Sequence, residues 1–307
     1  VRLTRFAPAP TGLLHLGHVA SAIYVWGLAR AHDSQVLLRI EDHDAERCRP
    51  EYERTILDDL DWLGFEADVF PTSAFRTGPC ESRQSDRHRH YARVAEDLRR
   101  RRLIYGCTCS RQQLAERSTP GVDGERPYPG TCRARGIPLA GSEDPACTGS
   151  VAWRLRMEPG DEHFKDLLAG AQVQNPAAQC GDVVIKDRLG NWTYQFVASV
   201  DDFLQGIDLV VRGRDLLAST GRQIRIAQLA GRETPAAFAH HPLVMKTPTQ
   251  KLSKSDRDTG VSDLRAAGWT AERVIGEAAA AIGLAPRANL SAREAMELVA
   301  AVSGRAG

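Results

Sequence analysis

Val1-Arg2-Leu3-Thr4-Arg5-Phe6-Ala7-Pro8-Ala9-Pro10-Thr11-Gly12-Leu13-Leu14-His15-Leu16-Gly17-His18 opens the chain. Val1 to Phe6 is a short apolar stretch that reads as a strand, and the Pro/Gly run from Ala7 to Gly12 reads as a tight loop. Val19 to His32 is amphipathic, with Val19, Ile23, Trp26 and Leu28 mostly on one face, and reads as a helix. Two imidazoles at the mouth of a helix suit a polyphosphate, because the N-terminus supplies backbone N–H groups and a partial positive charge. Gly17 lets backbone approach a ligand closely. By itself H-x-G-H is a weak motif. It gains weight from Lys251-Leu252-Ser253-Lys254-Ser255 far downstream. Two lysines three apart, with two serines, make a poor core and a good phosphate clamp.

Working outward, Gln35 to Ile40 is a short buried strand that ends in the polar cluster Glu41-Asp42-His43-Asp44. The carboxyl edge of an open α/β sheet is where ligands sit. Pro50, then Ile56, Leu60 and Leu63 with Gly64 behind them, describe the next helix. Gln84 to Arg102 is a further helix, and its Arg99-Arg100-Arg101-Arg102 run reads as a solvated face rather than an RNA contact. Ser118 to Gly149 is a loop-rich insertion. Val151 to Arg156 alternates like an exposed strand. Asp182 to Lys186 and Trp192 to Phe196, joined by a turn at Asp187 to Asn191, read as a hairpin. Asp208 to Arg212 is a buried strand, with Gly213 to Ala230 as its helix. The tail is helical, with N-caps at Thr270 and Ser291 and a capping box from Ser291 to Glu294. Strand and helix alternate, so the fold class is α/β, a Rossmann-like doubly wound parallel sheet. The expected division is 1–103 and 182–250 as the two halves of that sheet, 104–181 as an insertion, and 251–307 as the lysine loop with a helical subdomain.

The 307 residues carry a net charge of +1, with 42% hydrophobic and 26% charged residues, a soluble globular balance. Near-neutral charge confines any nucleic-acid site to a local patch. No apolar run approaches the roughly 20 residues of a membrane span, so no membrane partner is expected. Seven cysteines, an odd number, argue against a disulfide framework and for a reducing compartment, the cytoplasm. Cys107, Cys109 and Cys132 flank the loop-rich insertion, where soft thiolates suit a structural Zn²⁺. Three cysteines leave a fourth ligand open, and Cys147 or a nearby His is chemically natural there. Cys48, Cys80 and Cys180 show no metal spacing.

The paired His and Lys motifs resemble the two signatures of class I aminoacyl-tRNA synthetases. Arg5 to Gly12, Arg39-Ile40-Glu41-Asp42 and Val211-Arg212-Gly213-Arg214-Asp215-Leu216-Leu217 resemble the glutamyl/glutaminyl branch, and the likeness runs over essentially the whole chain. It implies ATP, accompanied by Mg²⁺, held by His15, Gly17, His18, Lys251, Ser253 and Lys254, with His15, His18 and Lys254 catalytic. It implies a pocket for L-glutamate built from Arg5, Phe6, Ala7, Pro8, Ala9, Glu41, Tyr194 and Arg212. There an arginine fork matches the side-chain carboxylate, Glu41 receives the α-ammonium, and Tyr194 is a hydrogen-bonding wall. The branch usually has Ser where this chain has Ala9, so only backbone groups remain at that point.

Tyr128-Pro129-Gly130-Thr131-Cys132-Arg133 resembles a signature of the stand-alone paralogues that glutamylate queuosine in tRNA(Asp), in which a tyrosine hydroxyl completes the metal site. That resemblance implies one structural Zn²⁺ on Cys107, Cys109, Tyr128 and Cys132. Only 52 residues follow Ser255, so no anticodon-binding domain is expected. The implied activity is tRNA-independent formation of glutamyl-adenylate, then transfer of glutamate to queuosine at the wobble position. The anticodon arm of tRNA(Asp) would be the RNA partner, and the enzyme a monomer. The rivals are a truncated glutamyl-tRNA synthetase charging a 3′ end and a catalytically silent RNA-binding paralogue. The silent paralogue should show decayed His and Lys motifs, and both motifs are intact.

Overall fold

The structure is a computed structural model, described over residues 2–120, 125–139, 151–247, 250–251 and 259–303. Ser253, Lys254 and Cys147 lie outside the described residues, and for Lys251 only the backbone is described.

β1 (Arg2–Phe6) leads through the Pro/Gly loop into α1 (Leu16–Ala31) and back to β2 (Ser34–Leu38). β1 and β2 pair in parallel, from Arg2↔Ser34 to Phe6↔Leu38. The helix begins three residues before the apolar periodicity does, because His15 takes the N-cap position with extended backbone. Nor is α1 amphipathic in its surroundings. Val19, Ala20, Ala22, Ile23, Val25, Trp26, Leu28 and Ala29 are all buried, since the sheet covers one side and C-terminal helices cover another. A helix buried nearly all round loses its polar stripe.

α2 (Pro50–Leu63) starts on its proline and stops at Gly64, whose φ of 78° would strain any residue with a side chain. In α3 (His88–Arg100), Tyr91, Val94, Ala95 and Leu98 point inward. Arg99, Arg100 and Arg101 are exposed and pair with Glu96 and Asp97 on the same helix, the solvated face expected of that run.

The next stretch holds β3 (Ile104–Cys107), α4 (Arg111–Arg117), β4 (Ala152–Leu155), β5 (Glu162–Asp166), β6 (Gly170–Gln174), α5 (Pro176–Cys180) and β7 (Val183–Lys186). β3, β4 and β7 form a small antiparallel sheet. β5 and β6 instead join the main sheet. The expected boundary at 181/182 therefore does not follow the sheets. A hairpin before it completes the large sheet, and a strand after it belongs to the small one.

α6 (Tyr194–Leu204) replaces the second strand of the expected hairpin. The Asp187 turn forms, with its carboxylate accepting from the Leu189 and Asn191 amides, but pairing ends at a single bridge, Lys186↔Trp192. The β-favouring residues Trp192 to Phe196 run on into Phe196, Val197 and Val200, whose helical spacing buries one face, and tertiary burial overrides local propensity. β8 (Leu209–Gly213) is followed by a 3₁₀ turn, Arg214–Ser219, before α7 (Thr220–Leu229). β9 (Ala237–His241), β10 (Met245–Thr247), β11 (Gln250–Lys251), α8 (Val261–Ala266), α9 (Ala271–Ala281) and α10 (Ala292–Ser303) complete the chain. Thr270 caps α9 through its side chain, and Ser291 and Glu294 make the expected reciprocal bonds.

The main sheet runs β2-β1-β8-β9-β5-β6, parallel except for the edge strand β6. Strand order reverses at β1, with β2 on one side and β8 on the other, so a crevice opens at their carboxyl ends. α9 and α10 pack on α1. The fit is close at Gly27, where a Cβ would lie 2.6 Å from Val299 Cβ and 3.1 Å from the Met296 carbonyl. In an open helix Gly→Ala stabilises by about 1 kcal/mol. Here Gly27→Ala is expected to destabilise by about 1–3 kcal/mol through overpacking, read as a lower urea midpoint. A higher midpoint would show that α10 does not press on α1 in solution.

Candidate functional site

The crevice at the strand reversal holds a cavity of about 380 Å³. The structure brings Arg5, Phe6, Ala7, Pro8, His15, Gly17, His18, Glu41, Tyr194 and Arg212 onto its wall. Ala9 does not line it; its carbonyl accepts from the Thr11 amide at 2.8 Å within the loop. Ser21, Asp215, Leu216, His241 and Leu243, not singled out from the sequence, line it too. Strand carboxyl ends supply Arg5 to Pro8 (β1), Glu41 (beyond β2), Arg212 (β8) and His241 (β9), and the N-termini of α1 and α6 supply His15, Gly17, His18 and Tyr194.

At the helix mouth the two imidazoles are interlocked. His15 Nδ1 accepts from the Gly17 amide at 3.1 Å, and His18 Nδ1 accepts from the His15 amide at 3.1 Å. Their ring centroids stand 4.0 Å apart. An accepting Nδ1 carries no proton, so each neutral ring has its N–H on Nε2 and serves as a donor. Gly17 lines the cavity and also meets a local packing demand. A Cβ there would lie 2.8 Å from His15 Cε1 and 2.9 Å from Nδ1, so the glycine makes room for the capping ring.

Arg5 and Glu41 of the cavity wall belong to a buried charge network. Asp202 of α6 accepts from Arg5 Nε at 2.9 Å and from Arg39 Nη1 at 2.8 Å. Arg39 also donates to Glu41 at 3.0 Å and Gln205 at 3.0 Å. Arg5 donates further to the Val211 carbonyl at 3.1 Å. Burial opposes the charge on Asp202, yet the two guanidiniums prevail and hold its carboxyl down at about 2. Arg212 meets no carboxylate among the described residues. Its donors go to His240 Nε2 (3.0 Å), Thr220 Oγ1 (2.9 Å), the Leu216 carbonyl (3.4 Å) and Gln223 Oε1. Burial, with the charge of Arg5 acting the same way, pulls Arg212 below its ordinary value. Burial and Glu41 push the Tyr194 hydroxyl up, which keeps it protonated. Of the three buried guanidiniums, Arg5 and Arg39 contact the carboxylates of Asp202 and Glu41, whereas Arg212 is held by neutral groups.

Sequence reasoning did not single out Asp202 or the cage around Arg212. An Asp201-Asp202 pair inside the apolar run from Phe196 to Leu204 was the available signal, since buried carboxylates need partners. The neighbouring Asp201 accepts from Gln84 (2.9 Å), Arg87 (2.7 Å) and Tyr91 (2.8 Å), tying α6 to α3.

A second cluster lies in the small sheet and the loop beside it. The Cys107, Cys109 and Cys132 sulfurs lie within 4.8 Å of one another, a set that can hold a metal ion. Cys109 and Cys132 are 3.5 Å apart, and Tyr128 Oη lies 3.5 Å from Cys107 and 4.0 Å from Cys109. Sulfurs bound at about 2.3 Å on a tetrahedral ion stand roughly 3.8 Å apart, so the donor set fits. Gly181, at φ 63°, lets the chain pass the Tyr128 backbone, where a Cβ would come within 2.3 Å of the carbonyl oxygen. Arg133 then ties the loop to Asp182 at the start of β7.

A reversing parallel sheet, an anionic-ligand mouth on α1 and a cationic far wall define a nucleotide-using catalytic domain of the class I synthetase type. The family model of class I tRNA synthetases (E and Q), catalytic domain, matches residues 1–299, and the chain belongs to that family. A Glutamyl-Q tRNA(Asp) synthetase from Bordetella bronchiseptica is 42% identical over 256 residues, covering 82% of this chain and 74% of the relative. One from Nitratidesulfovibrio vulgaris is 37% identical over 285 residues, covering 92% and 86%. A glutamate tRNA ligase from Elizabethkingia meningosepticum, solved in complex with its amino acid, superposes with a TM-score of 0.74 at 25% identity. That match covers 97% of this chain, which spans 65% of the ligase's length.

Asp202 gives a pH test. Its folded pKa is depressed, so it contributes stability above the unfolded value near 3.9, lost as pH falls through about 2. Asp202→Asn should be about 3–5 kcal/mol less stable at pH 7, because two buried cations lose their partner. Its urea midpoint should also fall less steeply than the wild type's between pH 4 and 2. Parallel acid limbs in the two proteins would contradict the assignment.

Proposed function

We propose that the chain activates L-glutamate with ATP, without tRNA, and passes the glutamyl group to queuosine at the wobble position of tRNA(Asp). The observation that carries the substrate is Arg212: a buried guanidinium on the cavity wall, caged by neutral acceptors. A buried cation of this kind is completed by an anion, and a side-chain carboxylate supplies it. Relatives named Glutamyl-Q tRNA(Asp) synthetase support the acceptor.

The glutamate α-carboxylate is ionised near neutral pH and needs no general base. One of its oxygens attacks the α-phosphorus of ATP, the P–O bond to pyrophosphate breaks, and the electron pair leaves with pyrophosphate. Glu41 receives the α-ammonium, and Tyr194 closes the pocket with Phe6, Ala7 and Pro8. His15 and His18 donate from Nε2 to phosphate oxygens at the mouth of α1, where the helix dipole adds to the attraction. Lys251, Ser253 and Lys254 hold the polyphosphate, and Lys254 stabilises the charge that develops on the leaving group. Mg²⁺ accompanies ATP. A hydroxyl of the queuosine cyclopentene-diol then attacks the carbonyl of the adenylate and AMP leaves.

Cys107, Cys109, Tyr128 and Cys132 would hold one structural Zn²⁺, which would cross-link β3 to the Tyr128 loop. The enzyme acts as a cytoplasmic monomer. No helix among the described residues is long and apolar enough to cross a membrane, and the odd number of seven cysteines suits a reducing compartment.

Glutamate-dependent ATP–pyrophosphate exchange without tRNA, followed by transfer of labelled glutamate, tests the reaction. Label is expected on tRNA(Asp) carrying queuosine. Label on tRNA(Glu), or on tRNA(Asp) lacking queuosine, would overturn the acceptor, and absence of exchange would overturn activation. Lys254→Ala should lower the exchange rate about 100-fold or more with little change in glutamate affinity. An equal fall in both would contradict its role. Zinc content of Tyr128→Phe, measured by titration with a chelator, tests the metal site. Weakened retention is expected, whereas full occupancy at unchanged affinity points to Cys147.

A further inference from the structure

β8 and β9 run parallel in a register that sets Arg212 opposite His240. β5 joins β9 with Asp166 opposite Phe238. Residues two apart on a strand share a face, so Asp166, His240 and Arg212 fall in one row across three strands. Asp166 Oδ2 lies 2.5 Å from His240 Nδ1, and Arg212 Nε lies 3.0 Å from His240 Nε2. Asp166 also accepts from the Leu168 amide at 2.9 Å, the Ala169 amide at 2.7 Å and the His240 amide at 3.3 Å. Thr220 Oγ1 stands 3.2 Å from His240 Nε2 and accepts from Arg212 Nη2 at 2.9 Å. Asp166 and His240 are each 1% exposed, Thr220 is fully buried and Arg212 is 5% exposed.

This row admits one proton arrangement. The ionised Asp166 is an acceptor only, so His240 Nδ1 carries a proton. Arg212 Nε–H is a donor only, so His240 Nε2 must be a lone pair. A second ring proton would set N–H against N–H inside a dry contact. Burial, joined by the nearby charge of Arg212, holds His240 below its usual range in spite of Asp166, so the ring stays neutral at physiological pH. Neither Asp166 nor His240 lines the cavity. What they do to a ligand, they do through Arg212.

We propose that His240 is a positioning residue. Fixed by Asp166 in the Nδ1–H form, it anchors Arg212 Nε, sets the guanidinium plane at the cavity wall, and thereby sets affinity for the side-chain carboxylate of the amino-acid substrate. This rests on reading Arg212 as the cation for that carboxylate. Asp166 belongs to the β5–β6 hairpin, so the hairpin that returns from the long insertion helps to tune substrate selectivity.

Exchange kinetics on the full chain test it, with wild type first run against a panel of amino acids. His240→Leu keeps the bulk and removes both polar contacts. It should raise the KM for glutamate about 10-fold or more, leave the KM for ATP unchanged, change kcat less than about 3-fold, and lower the preference for glutamate over glutamine. His240→Gln, with an amide oxygen for Arg212 and an amide N–H for Asp166, should restore most of the glutamate KM. Nitrogen-15 spectra of the wild-type ring should show the neutral Nδ1–H tautomer at pH 7. An Nε2–H tautomer, an imidazolium, or an unchanged glutamate KM in a folded His240→Leu would overturn the proposal. Parallel losses in kcat, both KM values and thermal midpoint, without rescue by His240→Gln, would do the same. If wild type instead uses another amino acid, the glutamate reading falls while the same variants test His240 against that substrate. If no amino acid supports exchange, both fall.

Discussion

Asp202 holds two guanidiniums at once, Arg5 at the end of β1 and Arg39 just beyond β2. The contact joins adjacent strands of the sheet to α6, and Arg39 extends it to Glu41. Buried ion networks add little net stability relative to a well-packed apolar core, but breaking one is expensive. Its consequence here is geometric and electrostatic. Arg5 lies 2.9 Å from the Asp202 carboxylate, whereas the hydrogen bonds of Arg212 go to neutral groups. The two arginines of the cavity wall are thus held differently.

The two ends of the cavity work by different physics. At the mouth of α1 the donors are neutral imidazoles and a helix terminus, partial charges that tolerate solvent and suit a large, flexible polyphosphate. At the far wall the charge is full, buried and held rigidly by neutral partners, which suits a small ligand with one carboxylate. In both places a histidine acts through its tautomer. His15 and His18 accept at Nδ1 and present Nε2, whereas His240 donates at Nδ1 and accepts at Nε2. The backbone amides of a helix N-terminus select one form, and a buried carboxylate selects the other.

The long insertion is spliced into the fold more deeply than a surface excursion. Its β3 and β4 need β7 to make a sheet, its thiols gather beside that sheet, and its β5 and β6 extend the main sheet. Asp166 reaches the cavity's supporting layer by that route.

The opening strand, the Pro/Gly loop, the helix with two imidazoles at its mouth, β2, α2 with its Gly64 stop and β8 were all legible in the sequence, because each is set by residues within one turn or one strand of itself. Of the residues expected at the site, Arg5, His15, His18, Glu41, Tyr194 and Arg212 line one cavity and Ala9 does not; Arg5, Glu41 and Arg212 meet there because an α/β sheet gathers the carboxyl ends of its strands. Local pattern misled at Trp192 to Phe196, where residues that favour strands start a helix, and at α1, whose outer face is apolar because α9 and α10 lie on it. The sequence alone determined the local elements and the donor and acceptor chemistry of the side chains they carry. Tertiary structure decided which of them carry free charge. Whether an arginine is spent on Asp202, some 197 residues away, or caged by neutral acceptors depends on strand order and register, and those are settled only by packing between distant segments.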